Sequence, residues 1–214
     1  MDRKSHWSGV YQAKAVTDVS WHQEHPELSV ELIRSAQAER SARIIDVGAG
    51  ASTLVDHLLA DGYSDITLLD LSAEALNAVR ERLGELSSPI TFLTGDVTDI
   101  ALPEHTFDIW HDRAVFHFLT DPALRQKYVE TARRAVKPGG HVIVATFALD
   151  GPTQCSGLTV DRYDAASLHS AFGDGFELLD STYETHRTPW GSEQKFVYCY
   201  CRKTDAQPLT RPIG

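Results

Sequence analysis

The stretch Arg43-Ile44-Ile45-Asp46-Val47-Gly48-Ala49-Gly50-Ala51-Ser52-Thr53-Leu54 turns from a buried strand into a helix, and its reading decides the fold. The apolar run Ile44, Ile45, Val47 suits a strand covered on both faces, as in parallel sheets. Gly48 and Gly50 let the backbone turn sharply and approach a ligand where a Cβ would collide. Ser52 can cap the helix that follows through Leu54, Val55, Leu58 and Leu59. A loop of this kind at the carboxyl end of a strand marks a nucleotide-type site in an open α/β sheet.

Outward from this turn the chain alternates regularly. A helix over 53–60 stops at Asp61-Gly62, and a second strand over 66–69 ends at Asp70. Ser72 caps a helix that carries Ala75, Leu76, Val79 and Leu83 and ends near Gly84. A third strand over 90–93 closes on Thr94-Gly95-Asp96-Val97, and Phe107-Asp108-Ile109-Trp110-His111 is a fourth. Helical periodicity through Leu124, Tyr128, Val129, Ala132 and Val136 is stopped by Lys137-Pro138-Gly139-Gly140, before a fifth strand over 141–147. Strands separated by helices imply parallel pairing with right-handed crossovers. A helix near 164–172 then precedes two strands, 176–183 and 194–202. Their connection is too short for another helical crossover, so they pair antiparallel at one edge of the sheet. The expectation is an α/β three-layer sandwich: a seven-stranded, mostly parallel sheet with an antiparallel last strand and helices on both faces.

Upstream, Pro26 starts a helix to about Ala38 that carries Leu28, Val30, Leu32 and Ile33. Before it, Trp7, Tyr11 and Trp21 stand among Lys14, His22 and His25. Two readings of this leader stand: aromatics packed onto the domain, or a lid over a bound cofactor. The division is a helical and aromatic cover over 1–40, the sheet domain over 41–203, and a flexible tail over 204–214.

A chain of 214 residues allows one domain with a sizeable core. Net charge is −10, which argues against a nucleic-acid partner, because phosphate-backbone affinity needs clustered Lys and Arg. No apolar stretch approaches the roughly 20 residues that cross a bilayer. The first residues have no apolar core behind their charges, so no signal peptide is expected. Cys155, Cys199 and Cys201 are not spaced for a zinc cluster and no metal site is expected. Cys199 and Cys201 lie two apart in one strand and point the same way. The expectation is a soluble cytoplasmic protein with reduced thiols.

The glycine turn alone is weak evidence, since Gly-x-Gly-x-x-Gly fails at Thr53. Asp70 adds more: 20 residues beyond Gly50, it stands where a carboxylate accepts the hydroxyls of a ribose. Asp46 and Asp96 put further acids at strand ends on the same rim. No Lys or Arg follows the turn closely, so nothing there is placed to neutralise a pyrophosphate.

With these residues in view, the chain resembles a class I S-adenosylmethionine-dependent methyltransferase over roughly residues 40–203. Asp46-Val47-Gly48-Ala49-Gly50-Ala51-Ser52 resembles the family's first motif, with Ser52 where a third glycine is commoner. Leu68-Leu69-Asp70-Leu71-Ser72 resembles the second, whose acid binds the ribose. Thr94-Gly95-Asp96-Val97 resembles the third, in which the acid faces the adenine amino group and the next residue packs on the ring. Phe107-Asp108-Ile109-Trp110-His111-Asp112 resembles the fourth, and Val136-Lys137-Pro138-Gly139-Gly140 the turn before strand five. The resemblance implies S-adenosylmethionine as cofactor, with S-adenosylhomocysteine as product. Its binding residues would be Trp7, Tyr11, Trp21, Asp46, Gly48, Gly50, Ser52, Asp70, Leu71, Asp96, Val97 and His111, the last largely through its backbone.

Two readings of His117 stand: a general base toward the acceptor, its ordinary pKa being near 6.5, or packing among Phe116, Phe118 and Leu119. Asp112 and Arg113 pair with each other or cap the helix that follows. Cys155 and Trp190, on loops past the strand ends, are the acceptor-side candidates. The small size and acidic charge favour a small-molecule acceptor. Protein lysine methylation and a non-catalytic cofactor-binding partner subunit are the alternatives, and monomer or homodimer both suit this size.

Overall fold

The computed structural model describes residues 3–13 and 17–204; Lys14 and the tail 205–214 lie outside the described residues. The sheet strands are β1 (Arg43–Val47), β2 (Asp65–Asp70), β3 (Ile90–Thr94), β4 (Phe107–Arg113) and β5 (Val136–Phe147), followed after a two-residue hairpin pair, β6 (Gln154–Cys155) and β7 (Leu158–Thr159), by β8 (Phe176–Arg187) and β9 (Glu193–Lys203). Helices are α1 (Arg3–Ala13), α2 (Glu27–Ser35), α3 (Leu54–Ala60), α4 (Ala73–Leu83), α5 (Pro122–Ala135) and α6 (Ala165–Phe172). The seven-stranded sheet has the order β3-β2-β1-β4-β5-β9-β8. β1 to β5 pair in parallel, and β9 runs antiparallel to both β5 and β8.

The two-residue period of the strands sorts the core into two layers. Ile44, Ile143 and Tyr198 face the layer built with Ile33 of α2, Val55 and Leu58 of α3, and Val79 of α4. Ile45, Val142 and Val197 face the other, built with Tyr128 and Ala132 of α5 and Leu168 of α6. Cys199 and Cys201 both join this second layer, as their spacing predicts. The helix starts follow local chemistry: Ser72 Oγ accepts from Ala75 N, Asp121 from Ala123 N, and Asp164 forms a capping box with Ser167.

Two boundaries differ from the sequence reading. Pro138-Gly139-Gly140 does not separate helix from strand: β5 begins at Val136, directly after α5. Its register slips between Phe107–Val136 and Ile109–His141. Gly139, at φ +73°, takes up the extra length, a bulge that a side chain resists. The last hairpin is also longer than 176–183 with 194–202, because pairing continues to Arg187 with Glu193.

Candidate active site

The carboxyl ends of β1, β2, β3 and β4 converge on the glycine turn. Gly48 N and Ala49 N both donate to Leu69 O, at 2.7 and 3.1 Å, which docks the turn onto β2. Gly48 has φ +67°, and a Cβ there would sit 1.9 Å from Val115 Cγ2. Gly50 has φ +52°, and a Cβ there would meet the Tyr11 hydroxyl at 2.2 Å. Both glycines are therefore required by conformation and by close approach.

Asp70 accepts from Gly50 N at 2.8 Å on one oxygen and from Ser72 N at 2.8 Å on the other. Burial pushes its carboxyl up to about 6, against the lowering effect of those two amides. Asp96 accepts from the Thr98 amide and hydroxyl, and its second oxygen takes Arg3 Nη2 at 2.6 Å. Asp70 and Asp96 line one cleft of about 750 Å³, together with Leu71 and Val97. Its roof is the leader. Trp7 meets Trp21 edge-on at 5.6 Å and Phe118 at 5.1 Å. Ser8 and Gln12 donate to Glu74 of α4. Trp7, Tyr11 and Trp21 all line the cleft, and no residue of α1 is fully buried.

Asp46, Ser52 and His111 line a second cavity of about 530 Å³ on the other side of the turn. Gly48, Tyr11, Trp21 and Arg113 border both spaces. The resemblance implies a contribution from His111 mainly through its backbone. Its buried side chain faces this cavity instead, bridging Asp46 Oδ1 at 2.7 Å and Ser29 Oγ at 2.9 Å. Ser52 Oγ accepts from Leu54 N at the start of α3, but the N-cap position falls one residue later than expected, on Thr53, whose side chain makes no capping bond.

Asp112 and Arg113 do not pair with each other, since neighbouring strand residues point to opposite faces. Asp112 accepts from Val115 N, Phe116 N and the Tyr128 hydroxyl, the last at 2.6 Å, and burial pushes it up to about 7. It thereby holds the turn that presents Ala114 and Val115 to the cleft, with Ala114 at φ +74°. Arg113 donates to the Tyr198 hydroxyl, Trp21 O and Glu184, and lies 4.3 Å over the Phe196 ring.

Two site assignments are corrected. His117 sits in a one-turn 3-10 element, fully buried, and does not line the cleft. Its Nδ1 accepts from Phe147 N, its ring packs on Phe118 and Phe147, and burial with the nearby Arg113 charge lowers it to about 3. A base must reach the proton it takes, so the packed reading replaces the general-base one. Trp190 stands 59% exposed at the hairpin tip and lines neither cavity, whereas Cys155 does line the cleft. A cation also reaches the glycine turn: Arg82 donates to Ala51 O and Ser52 O. It does so from outside both cavities and is paired with Asp56, so it offers no charge to a phosphate within them.

Sequence reasoning missed Ser29, Arg3 and Arg113 as parts of the site. A serine on the apolar face of α2 is a faint signal for the first. Nothing in the sequence ties Arg3 to Asp96. Among the described residues no His, Cys, Asp and Glu group could hold a metal, and no helix is long and apolar enough to cross a membrane.

A family model described as a methyltransferase domain matches residues 44–140, which spans the glycine turn and all three acids. Over those residues the chain is similar to a methyltransferase domain, in line with its resemblance to the class I S-adenosylmethionine-dependent methyltransferases. It is 26% identical over 149 residues to the mouse (Mus musculus) eEF1A lysine and N-terminal methyltransferase, covering 67% of this chain and 21% of that protein. The chain spans about half the length, or less, of the curated relatives it matches. A structure solved in work on the conversion of a disulfide bond into a thioacetal group during echinomycin biosynthesis superposes with a TM-score of 0.77. The identity is 19%, over 96% of this chain and 94% of that one. A Burkholderia thailandensis 1,6-didemethyltoxoflavin-N1-methyltransferase, solved with its acceptor and S-adenosylhomocysteine, gives 0.65 at 21% identity, over 92% of this chain and 81% of that one. At these identities the two structures carry the fold alone.

Proposed function

We propose that this methyltransferase domain transfers a methyl group from S-adenosylmethionine to an O, N or S nucleophile of a small-molecule acceptor. One observation carries the reading: three strand-end acids, Asp46, Asp70 and Asp96, are arrayed around two cavities that meet at the glycine turn. The residues fit the donor. Gly48 and Gly50 leave backbone where a Cβ would intrude, and Asp70 keeps acceptor capacity for ribose hydroxyls beyond its two amide bonds. Leu71, Val97 and Asp96 offer an apolar wall and an acceptor for the adenine. Asp46 faces the space left for the amino-acid end, where its charge suits an ammonium. When bound, the donor supplies a methyl group already activated by its positive sulfur.

The protein's part is alignment and exclusion of water. Trp7, Tyr11, Trp21 and Phe118 roof the cleft, which supports the lid reading of the leader, and the strapping of α1 to Asp96 and Glu74 suits a closed state. With His117 sequestered, the acceptor side offers Arg113, Tyr11 and Cys155 rather than a poised base. This favours acceptors that ionise or attack without one. Lysine methylation is the second reading, favoured by the aromatic roof and by the mouse relative's name. A non-catalytic partner subunit is the third. The net charge of −10 speaks against nucleic acid. We place the protein in the cytoplasm, a setting that its three buried thiols suit.

Calorimetry with S-adenosylmethionine, S-adenosylhomocysteine and NAD tests the donor. Binding of the first two is expected, and preference for NAD would overturn the reading. Lysate incubated with methyl-labelled donor should then place label in the small-molecule fraction. Label in protein favours the lysine reading, and label in neither marks a partner subunit.

A further inference from the structure

Three polar side chains from three different elements form a buried row along the wall of the second cavity. Asp46 of β1, His111 of β4 and Ser29 of α2 are 4%, 3% and 1% exposed. His111 Nδ1 lies 2.7 Å from Asp46 Oδ1, and Nε2 lies 2.9 Å from Ser29 Oγ. An ionised carboxylate can only accept, so Nδ1 carries a proton and the ring's orientation is fixed by both neighbours. The row does not end at Ser29. The Tyr198 hydroxyl stands beside Ser29, accepts from Arg113 Nε at 2.9 Å and donates to Glu184 at 3.1 Å. Arg113 Nη1 in turn donates to the backbone of Trp21 in the roof.

Packing alone does not account for this arrangement, because apolar side chains would fill the same space without desolvating so many polar groups. The row does fix one thing that matters to the cavity. His111 holds one oxygen of Asp46, and among the described residues the other oxygen takes no hydrogen bond.

We propose that Ser29 and His111 are positioning residues. They hold the Asp46 carboxylate toward the second cavity to receive the α-ammonium of the donor's amino-acid end, and Tyr198 ties that row to Arg113 and the roof. In this role His111 acts through Asp46. The proposal rests on the S-adenosylmethionine reading above.

Two probes separate the ends of the donor. S-adenosylhomocysteine carries the amino-acid end, and 5′-methylthioadenosine lacks it. By calorimetry, Ser29→Ala and His111→Asn should weaken S-adenosylhomocysteine about tenfold or more and leave 5′-methylthioadenosine within about twofold. Asp46→Asn should weaken the first probe at least as much, and adding His111→Asn to it should cost little further, the signature of one residue acting through another. Equal weakening of both probes, or none, overturns the positioning role and leaves the donor reading standing. A wild-type protein that binds neither probe overturns both. Ser29→Ala removes only a hydroxyl and gives the answer if His111→Asn does not fold.

Discussion

The two banks of the cleft are built on different chemistry. On the bank formed by β1, β2 and β3, an acid stands at or within two residues of each strand's end, and Asp70 and Asp96 are fixed by backbone amides. On the bank formed by β4 and the turn after it, the walls are Ala114, Val115, Phe118 and Leu119, with Arg113 as the charged member. A bank of oriented acceptors suits one ligand with hydroxyls and positive charge. An apolar bank excludes water and recognises shape, so it constrains an acceptor far less. Tight donor recognition and an open acceptor question follow from the same contrast.

The largest effect should come where the banks touch. Gly48→Ala places a methyl group 1.9 Å from Val115 Cγ2 at a positive φ. It should cost about 2–4 kcal/mol of stability in urea denaturation and abolish donor binding by calorimetry. Gly50→Ala meets the far end of the Tyr11 side chain, which can swing aside, so it should be milder on both measures. Equal damage from the two would break the idea that Val115 is held rigidly by the second bank.

That rigidity traces to Asp112, and pH tests it. Asp112 is raised from 3.8 to about 7, so the fold resists its ionisation. Its contribution is present below about pH 4 and is lost as pH rises to about 7. His117, lowered from 6.5 to about 3, has the opposite sign: its contribution is present above pH 6.5 and is lost as pH falls toward 3. The two offset each other between pH 4 and 6.5. Denaturation midpoints of Asp112→Asn should therefore fall on acidification across that window, and those of His117→Asn should rise. Variants that both keep the wild-type profile would refute the buried placement of these groups. The same placement predicts that His117→Ala leaves the pH dependence of turnover unchanged from pH 6 to 9, measured on whatever acceptor takes label.

Tyr11→Phe and Trp7→Ala sharpen the comparison from the roof. Each should weaken S-adenosylhomocysteine by a few fold, with a stability change near 1 kcal/mol or less, since neither side chain is fully buried. The smallest effect belongs to Trp190→Ala. The side chain is 59% exposed outside both cavities, and stability and donor affinity should both stay within about 0.5 kcal/mol.

The fold was legible because its signals are local. Apolar runs of strand length, caps at Ser72 and Asp164, and the 3.6-residue period of α5 each report on their own few residues. The strap-like bulge at Pro138–Gly140 was misread because proline and glycine stop a helix wherever they stand, and only the register against β4 shows that pairing has already begun at Val136. The site was legible on its first bank for a related reason: an acid at a strand's carboxyl end reaches the rim whatever the rest of the chain does. Spacing leaves both readings of His117 open and misplaces Trp190, because each depends on direction, which spacing does not encode in a short turn or a hairpin tip.

By itself the sequence determined the layered parallel sheet, the glycine turn and the three rim acids, since periodicity and strand-end position fix them without knowledge of distant partners. Only the tertiary structure decided that Arg3 meets Asp96 across 93 residues, that His111 bridges Asp46 and Ser29, and that His117 is buried away from the cleft. Each of these is a contact between side chains from separate elements, and its existence depends on how helices and strands pack, not on any pattern within one segment.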